Sequence, residues 1–197
     1  MPPEPRQGDL FAQSPPEGTV TNEPQLALSA SVLRDWQRRI QRHQAPLFAA
    51  PAGPGSVQQT QLFASAEPLE RFAPLTLQPL PLSFWRWPES PHQGPAIYLV
   101  MDRPEDLSTP ILLYVGETVA ADRRWKGEHD CKSYLASYSE ALSAVGLRGQ
   151  TSIRFWGDVP RETRSRRRLE QQLIQTWLPP FNKETRERWA TPFNADG

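Results

Sequence analysis

Apolar residues follow two rhythms in the second half of the chain and lose both in the first. Three short runs, AIYLVM (96–101), ILLYVG (111–116) and TSIRFWG (151–157), are rich in β-branched and aromatic residues and have the length of single strands. A polar loop with two prolines separates the first two, which predicts neighbouring antiparallel strands. Two other segments repeat at helical spacing. SYLASYSEALSAVG (133–146) closes on a glycine, and RETRSRRRLEQQLIQTW (161–177) places Leu169, Leu173, Ile174 and Trp177 on one face before Pro179 and Pro180 stop it. TVAADRRW (118–125) reads as a further short helix. Strand, strand, helices, strand, helix predicts a small mixed α/β domain, residues 94–197, with a three-stranded, mainly antiparallel sheet flanked by helices.

Proline marks where this pattern fails. Of 22 prolines, 16 precede Ala96, and residues 1–73 read as a proline- and glutamine-rich flexible extension that cannot bury enough apolar surface to order itself. Within it, 29–43 predicts a short basic amphipathic helix, with serines to cap it and Val32, Leu33, Trp36 and Ile40 along one side. Residues 74–93 are apolar but too proline-rich for a central strand, and so predict an extended strap lying on the domain.

Composition narrows the function classes. Cys131 is the one cysteine, which excludes an intrachain disulfide, and three histidines, His43, His92 and His129, are too scattered for a zinc site. No apolar run approaches a membrane span and no signal pattern opens the chain, so a reducing, cytoplasmic location is expected, on the nucleoid if the source is a bacterium, with no membrane partner. Net charge is zero, so any affinity for nucleic acid must be local. The run RETRSRRR (161–168) carries five arginines against one glutamate. Directly after it stands a carboxylate, Glu170, at the edge of the helix face that should be buried.

That carboxylate belongs to an ordered set. AIY (96–98) and YVG (114–116) are followed by Arg124 eight residues after Gly116, then His129, then Glu170 heading ExxLI, then Asn182 closing PPFN twelve residues later. From Ala96 to Asn182 the chain resembles a GIY-YIG nuclease domain, with Ala96 where the signature has its first glycine. The spacing is similar to that of the excision-repair incision domain, and YVGETVAADRRWKGEH resembles the matching segment of homing endonucleases in this family.

The resemblance implies a metal-dependent endonuclease that hydrolyses DNA phosphodiester bonds in repair or recombination. It implies one divalent ion, Mg²⁺ or Mn²⁺, on Glu170, a hard oxygen ligand suited to either. Tyr98 would be general base or proton relay, and Tyr114 would position water or phosphate. Arg124 would fork onto the scissile phosphate, His129 would protonate the leaving group or orient a tyrosine, and Asn182 would tie the C-terminal loop to the site. Gly116 would permit close backbone approach. Arg123, Lys126, Arg161, Arg164, Arg166, Arg167 and Arg168 would contact the DNA backbone. Taken singly, the tyrosines read equally as cross-strand packing, the arginines as a solvated helix face, Glu170 as a partner for Arg166 or Arg167, and Asn182 as a turn residue.

The extension holds a repeat, Q-x-x-L-F, at Gln7, Leu10, Phe11, at Gln44, Leu47, Phe48 and at Gln59, Leu62, Phe63. These pentapeptides resemble the short motif by which bacterial DNA polymerases and repair proteins dock on the sliding clamp. The alternative is that the Leu-Phe pairs staple the extension to the domain. Against the enzyme reading stands a catalytically weak copy of the fold that binds DNA or the clamp.

Overall fold

The computed structural model describes residues 28–49, 69, 71–89, 91–121 and 130–193. Among these are three α-helices and three strands: α1 (Ala30–Ala49), β1 (Ala96–Asp102), β2 (Ile111–Thr118), α2 (Asp130–Ala144), β3 (Ser152–Trp156) and α3 (Thr163–Trp177). The strands pair antiparallel in the order β2-β1-β3. Central β1 is buried at all seven positions, so it reads as an unbroken apolar run rather than an alternation. No described helix is long and apolar enough to cross a membrane.

Each face of the sheet carries its own core. Tyr98, Val100, Leu113 and Ile153 face α1 and α2, with Phe181 and Trp189 from the C-terminal segment. On the other face Ile97, Leu99, Met101, Leu112, Val115 and Trp156 meet Leu169, Leu173, Ile174 and Trp177 of α3. Residues 133–146 and 161–177 thus form helices close to their predicted limits, and Gly146 follows α2 with φ +69°. The short helix predicted over 118–125 lies, beyond Ala121, outside the described residues.

Helix α1 departs from its prediction in length and in place. It runs on to Ala49 through Pro46 instead of ending near His43. Leu33, Trp36, Gln37, Ile40 and Gln44 make one buried stripe, and Trp36 stacks on Phe181 with ring centroids 6.2 Å apart. Ser29 caps the start, its Oγ accepting the Val32 N–H at 3.3 Å. The compact unit therefore takes in residues well upstream of 94. Residues 1–27 and 50–68, most of the predicted extension, lie outside the described residues.

The second Q-x-x-L-F copy belongs to this helix. Gln44 is fully buried; its amide nitrogen donates to the carbonyls of Leu112 (3.0 Å) and Trp177 (2.9 Å), and its oxygen accepts the Leu112 N–H (2.7 Å). Phe48 packs edge-on to Trp177 at 4.7 Å, and Leu47 joins the same core. This copy is a structural staple and not an exposed docking peptide: its polar residue already serves three backbone groups that would otherwise be buried without partners. The copies at Gln7, Leu10, Phe11 and at Gln59, Leu62, Phe63 lie outside the described residues.

The strap follows the sheet's far edge. It makes 3-10 turns at Pro74–Thr76 and Phe84–Arg86 and exchanges two backbone hydrogen bonds between Leu80 and Ile153 of β3. Arg154 donates from the sheet to the carbonyls of Pro74 and Leu77.

Candidate functional site

The pairing of β1 with β2 sets the two tyrosines of the site side by side. Tyr98 pairs with Gly116 and Val100 with Tyr114, but Met101 pairs with Leu112, so Leu113 is an extra residue in β2. The bulge lies beyond Tyr114; the regular register up to that point, with Tyr114 two residues from Gly116, puts Tyr114 on the face that already carries Tyr98. The two tyrosines become diagonal neighbours, their rings 5.8 Å apart and inclined by 27°. Gly116 makes room for them, since a Cβ there would stand 2.4 Å from Cζ and the hydroxyl oxygen of Tyr98. The glycine of YVG is thus fixed by a side chain crossing over it rather than by an unusual φ.

The outer side of β2 is an edge whose backbone groups need partners. Phe181 N–H donates to Leu113 O at 3.0 Å. Asn182 accepts from Val115 N–H (3.0 Å) and donates to Val115 O (2.8 Å), and Glu170 accepts the Glu117 N–H (2.9 Å). Helix α3 ends with Leu178 in the left-handed region (φ 47°). The two prolines then carry the chain back so that Phe181 and Asn182 land on this edge. The carboxylate at the rim of α3 has its first reason here: it caps a strand N–H that no backbone reaches.

Beside this edge lies a cavity of about 220 Å³, lined by Tyr114, Glu170, Ile174 and Asn182 among others, with Lys183 and Arg186. Tyr98 is 1% exposed and stands behind Tyr114, so only Tyr114 of the pair reaches the cavity wall. Burial above all, then the charge of and hydrogen bond to Tyr98, pushes the Tyr114 hydroxyl above its ordinary pKa. Glu170 is pushed up to about 7, first by burial and further by the charges of Glu117 and Glu184; the Glu117 N–H and Arg167 work the other way. Near neutrality its carboxyl is therefore divided between its two protonation states.

The arginine run separates into two groups. Arg161, just before α3, and Arg164, Arg167 and Arg168 on it are exposed, and Arg161, Arg164 and Arg168 are open to a backbone contact. Arg166, expected to touch DNA, is instead fully buried. It pairs with Glu117 at 2.9 Å and donates to the carbonyls of Pro160 and Arg161. Glu117 also holds Arg167 at 3.1 Å. A charge count along the sequence cannot separate these arginines, because the difference lies in which one meets a carboxylate from a distant strand.

Asn182 occupies the loop-tying place expected of it, with both ends of its amide spent on Val115, which makes it a positioning group rather than one open to substrate. Arg123, Arg124, Lys126 and His129 lie outside the described residues. Glu117, Lys183 and Arg186 are not singled out by the sequence; for Lys183 and Arg186 the alternation of basic and acidic residues in NKETRER (182–188) is the one visible signal. Among the described residues no three or more His, Cys, Asp or Glu gather as a metal-holding group. A site with one carboxylate needs none, since Mg²⁺ keeps most of its waters and takes one or two protein carboxylates together with substrate phosphate.

No model of a known protein family matches the chain, and neither a curated protein nor a solved structure matches it.

Proposed function

We propose that this chain is a GIY-YIG-type endonuclease that hydrolyses DNA phosphodiester bonds with one divalent metal ion, Mg²⁺ or Mn²⁺, in repair or recombination. The observation that carries this reading is the meeting of Tyr114 and Glu170 on one cavity, with Tyr98 behind the first and Asn182 closing the wall. These residues come from two strands, a helix and a loop, and they are the same ones that the motif spacing singles out.

Glu170 would hold the metal. One of its oxygens takes the Glu117 N–H, the other has no hydrogen bond among the described residues, and burial foremost, with the nearby Glu117 and Glu184 charges, raises its pKa, which a bound cation would offset. When bound, the ion supplies charge neutralisation at the phosphoryl oxygens and makes a water more acidic. Tyr114, whose hydroxyl holds its proton firmly, suits a hydrogen bond donated to phosphate or water at the cavity wall. Tyr98 is shut from the cavity and would fix the Tyr114 hydroxyl in place of the general-base part expected of it, while Tyr114 keeps its expected part. Arg124 would stabilise the phosphoryl charge and His129 the leaving oxygen, as the resemblance implies. The exposed arginines of α3 would bind the flanking backbone. Docking on a sliding clamp would fall to the first and third Q-x-x-L-F copies.

One observation favours the binding-only alternative: Glu170 already has structural work as the cap of the Glu117 N–H. Labelled duplex, branched and single-stranded DNAs incubated with Mg²⁺ or Mn²⁺ decide between them. Metal-dependent cutting by the wild type, abolished in Glu170→Ala, is the expected result. DNA binding without cutting under every condition would move the protein to the alternative.

A further inference from the structure

We propose that Arg186, with Lys183 at the mouth, forms an anion pole in the same cavity and holds a second phosphate of the bound strand, next to the one that is cut. The proposal rests on the nuclease reading for the identity of that strand, and on the following geometry for the site itself.

Arg186 is half-buried and held in place. It donates to the Tyr134 hydroxyl, and its guanidinium carbon lies over the Tyr134 ring, 5.1 Å from the centroid. Tyr134 in turn is buried and stacks on Phe181 at 5.6 Å, and the Arg186 N–H bonds to Asn182 O at 2.9 Å. The guanidinium is thus fixed to the residues that close β2's edge, so little rotamer freedom remains to be lost on binding.

Among the described residues no carboxylate balances its charge. Glu184 and Glu187 stand within two residues, yet Arg186 makes no ion pair with any described residue, and Glu184 accepts instead from Gln171 at 3.1 Å. The cavity wall thus carries both the Glu170 carboxylate and a guanidinium with no ion-pair partner among the described residues. One of five guanidinium N–H donors is spent on a neutral hydroxyl. The planar fork that remains suits phosphate oxygens in two-point contact. A polyanionic strand that presents phosphates at regular intervals can satisfy a metal-holding end and a guanidinium end at once. Lys183, exposed, adds a mobile point charge at the entrance.

The test is DNA binding by the full chain, followed by fluorescence anisotropy of a labelled oligonucleotide across a salt series, with EDTA to prevent cutting. Arg186→Met keeps a side chain over Tyr134 without the charge, and its thermal unfolding is compared with wild type so that lost folding is not read as lost binding. We expect affinity to fall roughly 10- to 100-fold, as for the loss of a charge-assisted hydrogen bond. The slope of log K against log salt should shrink by about 0.7 to 0.9. Arg186→Lys should recover the slope but only part of the affinity. A folded Arg186→Met protein with unchanged affinity and slope overturns the proposal, as does a wild type that binds no DNA. The nuclease reading fails separately: a wild type that never cuts, but whose binding depends on Arg186, keeps the anion pole and loses the enzyme.

Discussion

Glu170→Gln should make the protein more stable at alkaline pH and leave it nearly unchanged at acid pH. The carboxyl sits at about 7 in the folded chain against an ordinary 4.5, so folding favours its protonated form. With the folded value raised, the stabilising contribution is complete below about 4.5, declines as pH climbs, and is lost above about 7. At about 1.4 kcal/mol per pH unit the gap bounds the effect at about 3.4 kcal/mol. Solvent reaches this rim position and screens it, so about 1 to 2 kcal/mol is the working figure. Glutamine is neutral at every pH and can still accept the Glu117 N–H through its carbonyl. For a domain of this size the difference amounts to roughly 3 to 6 °C in Tm. Thermal unfolding of both proteins in EDTA, from pH 4.5 to pH 9, should show the glutamine variant pulling ahead as pH rises. Parallel Tm curves, or a wild type that gains on the variant with pH, would refute the reasoning. Added Mg²⁺ should then raise the wild-type Tm and not that of the variant, because a ligand stabilises only the state that binds it.

Gly116→Ala should cost about 1 to 3 kcal/mol in urea unfolding, because the new Cβ meets the Tyr98 ring at 2.4 Å and the ring must move off Tyr114; DNA cutting should fall with it. Glu117→Gln should cost about 3 to 5 kcal/mol by leaving the Arg166 charge buried without a carboxylate, and pairing it with Arg166→Met should recover most of the loss. If the two single changes simply add, the pair does not act as a unit. Gln44→Ala should cost about 2 to 4 kcal/mol, since both backbone groups of Leu112 and the carbonyl of Trp177 lose their partner. An unchanged denaturation midpoint would mean that water replaces the amide.

What could be read from the sequence was whatever depends on near neighbours. β1, β2, β3 and α3 sit within a residue or two of their predicted runs, because short β-rich apolar runs and the helical stripe are local patterns. Helix α1 was cut short at His43 because Gln44 is polar and Pro46 breaks helices. In the structure the glutamine is buried by its backbone partners, and the helix runs on through the proline to Ala49, its buried stripe held by tertiary contacts. Tyr114 and Glu170 could be marked by their spacing, but not the bulge at Leu113 or the register that sets Tyr114 beside Tyr98, since both exist only relative to the pairing of two strands. Arg166 was grouped with its exposed neighbours for the same reason: Glu117, which buries it, is 49 positions away.

Both rims of the sheet are closed by the chain itself, β2 by Gln44, Phe181, Asn182 and Glu170, and β3 by Leu80 of the strap. A second molecule cannot extend this sheet by adding a strand without first displacing one of those groups. Self-association of the folded unit through β-pairing, whether into dimers or into fibrillar aggregates, is thereby discouraged. Cutting both strands of a duplex by two copies would then require contact through helices, loops or the DNA, or two successive visits by one molecule.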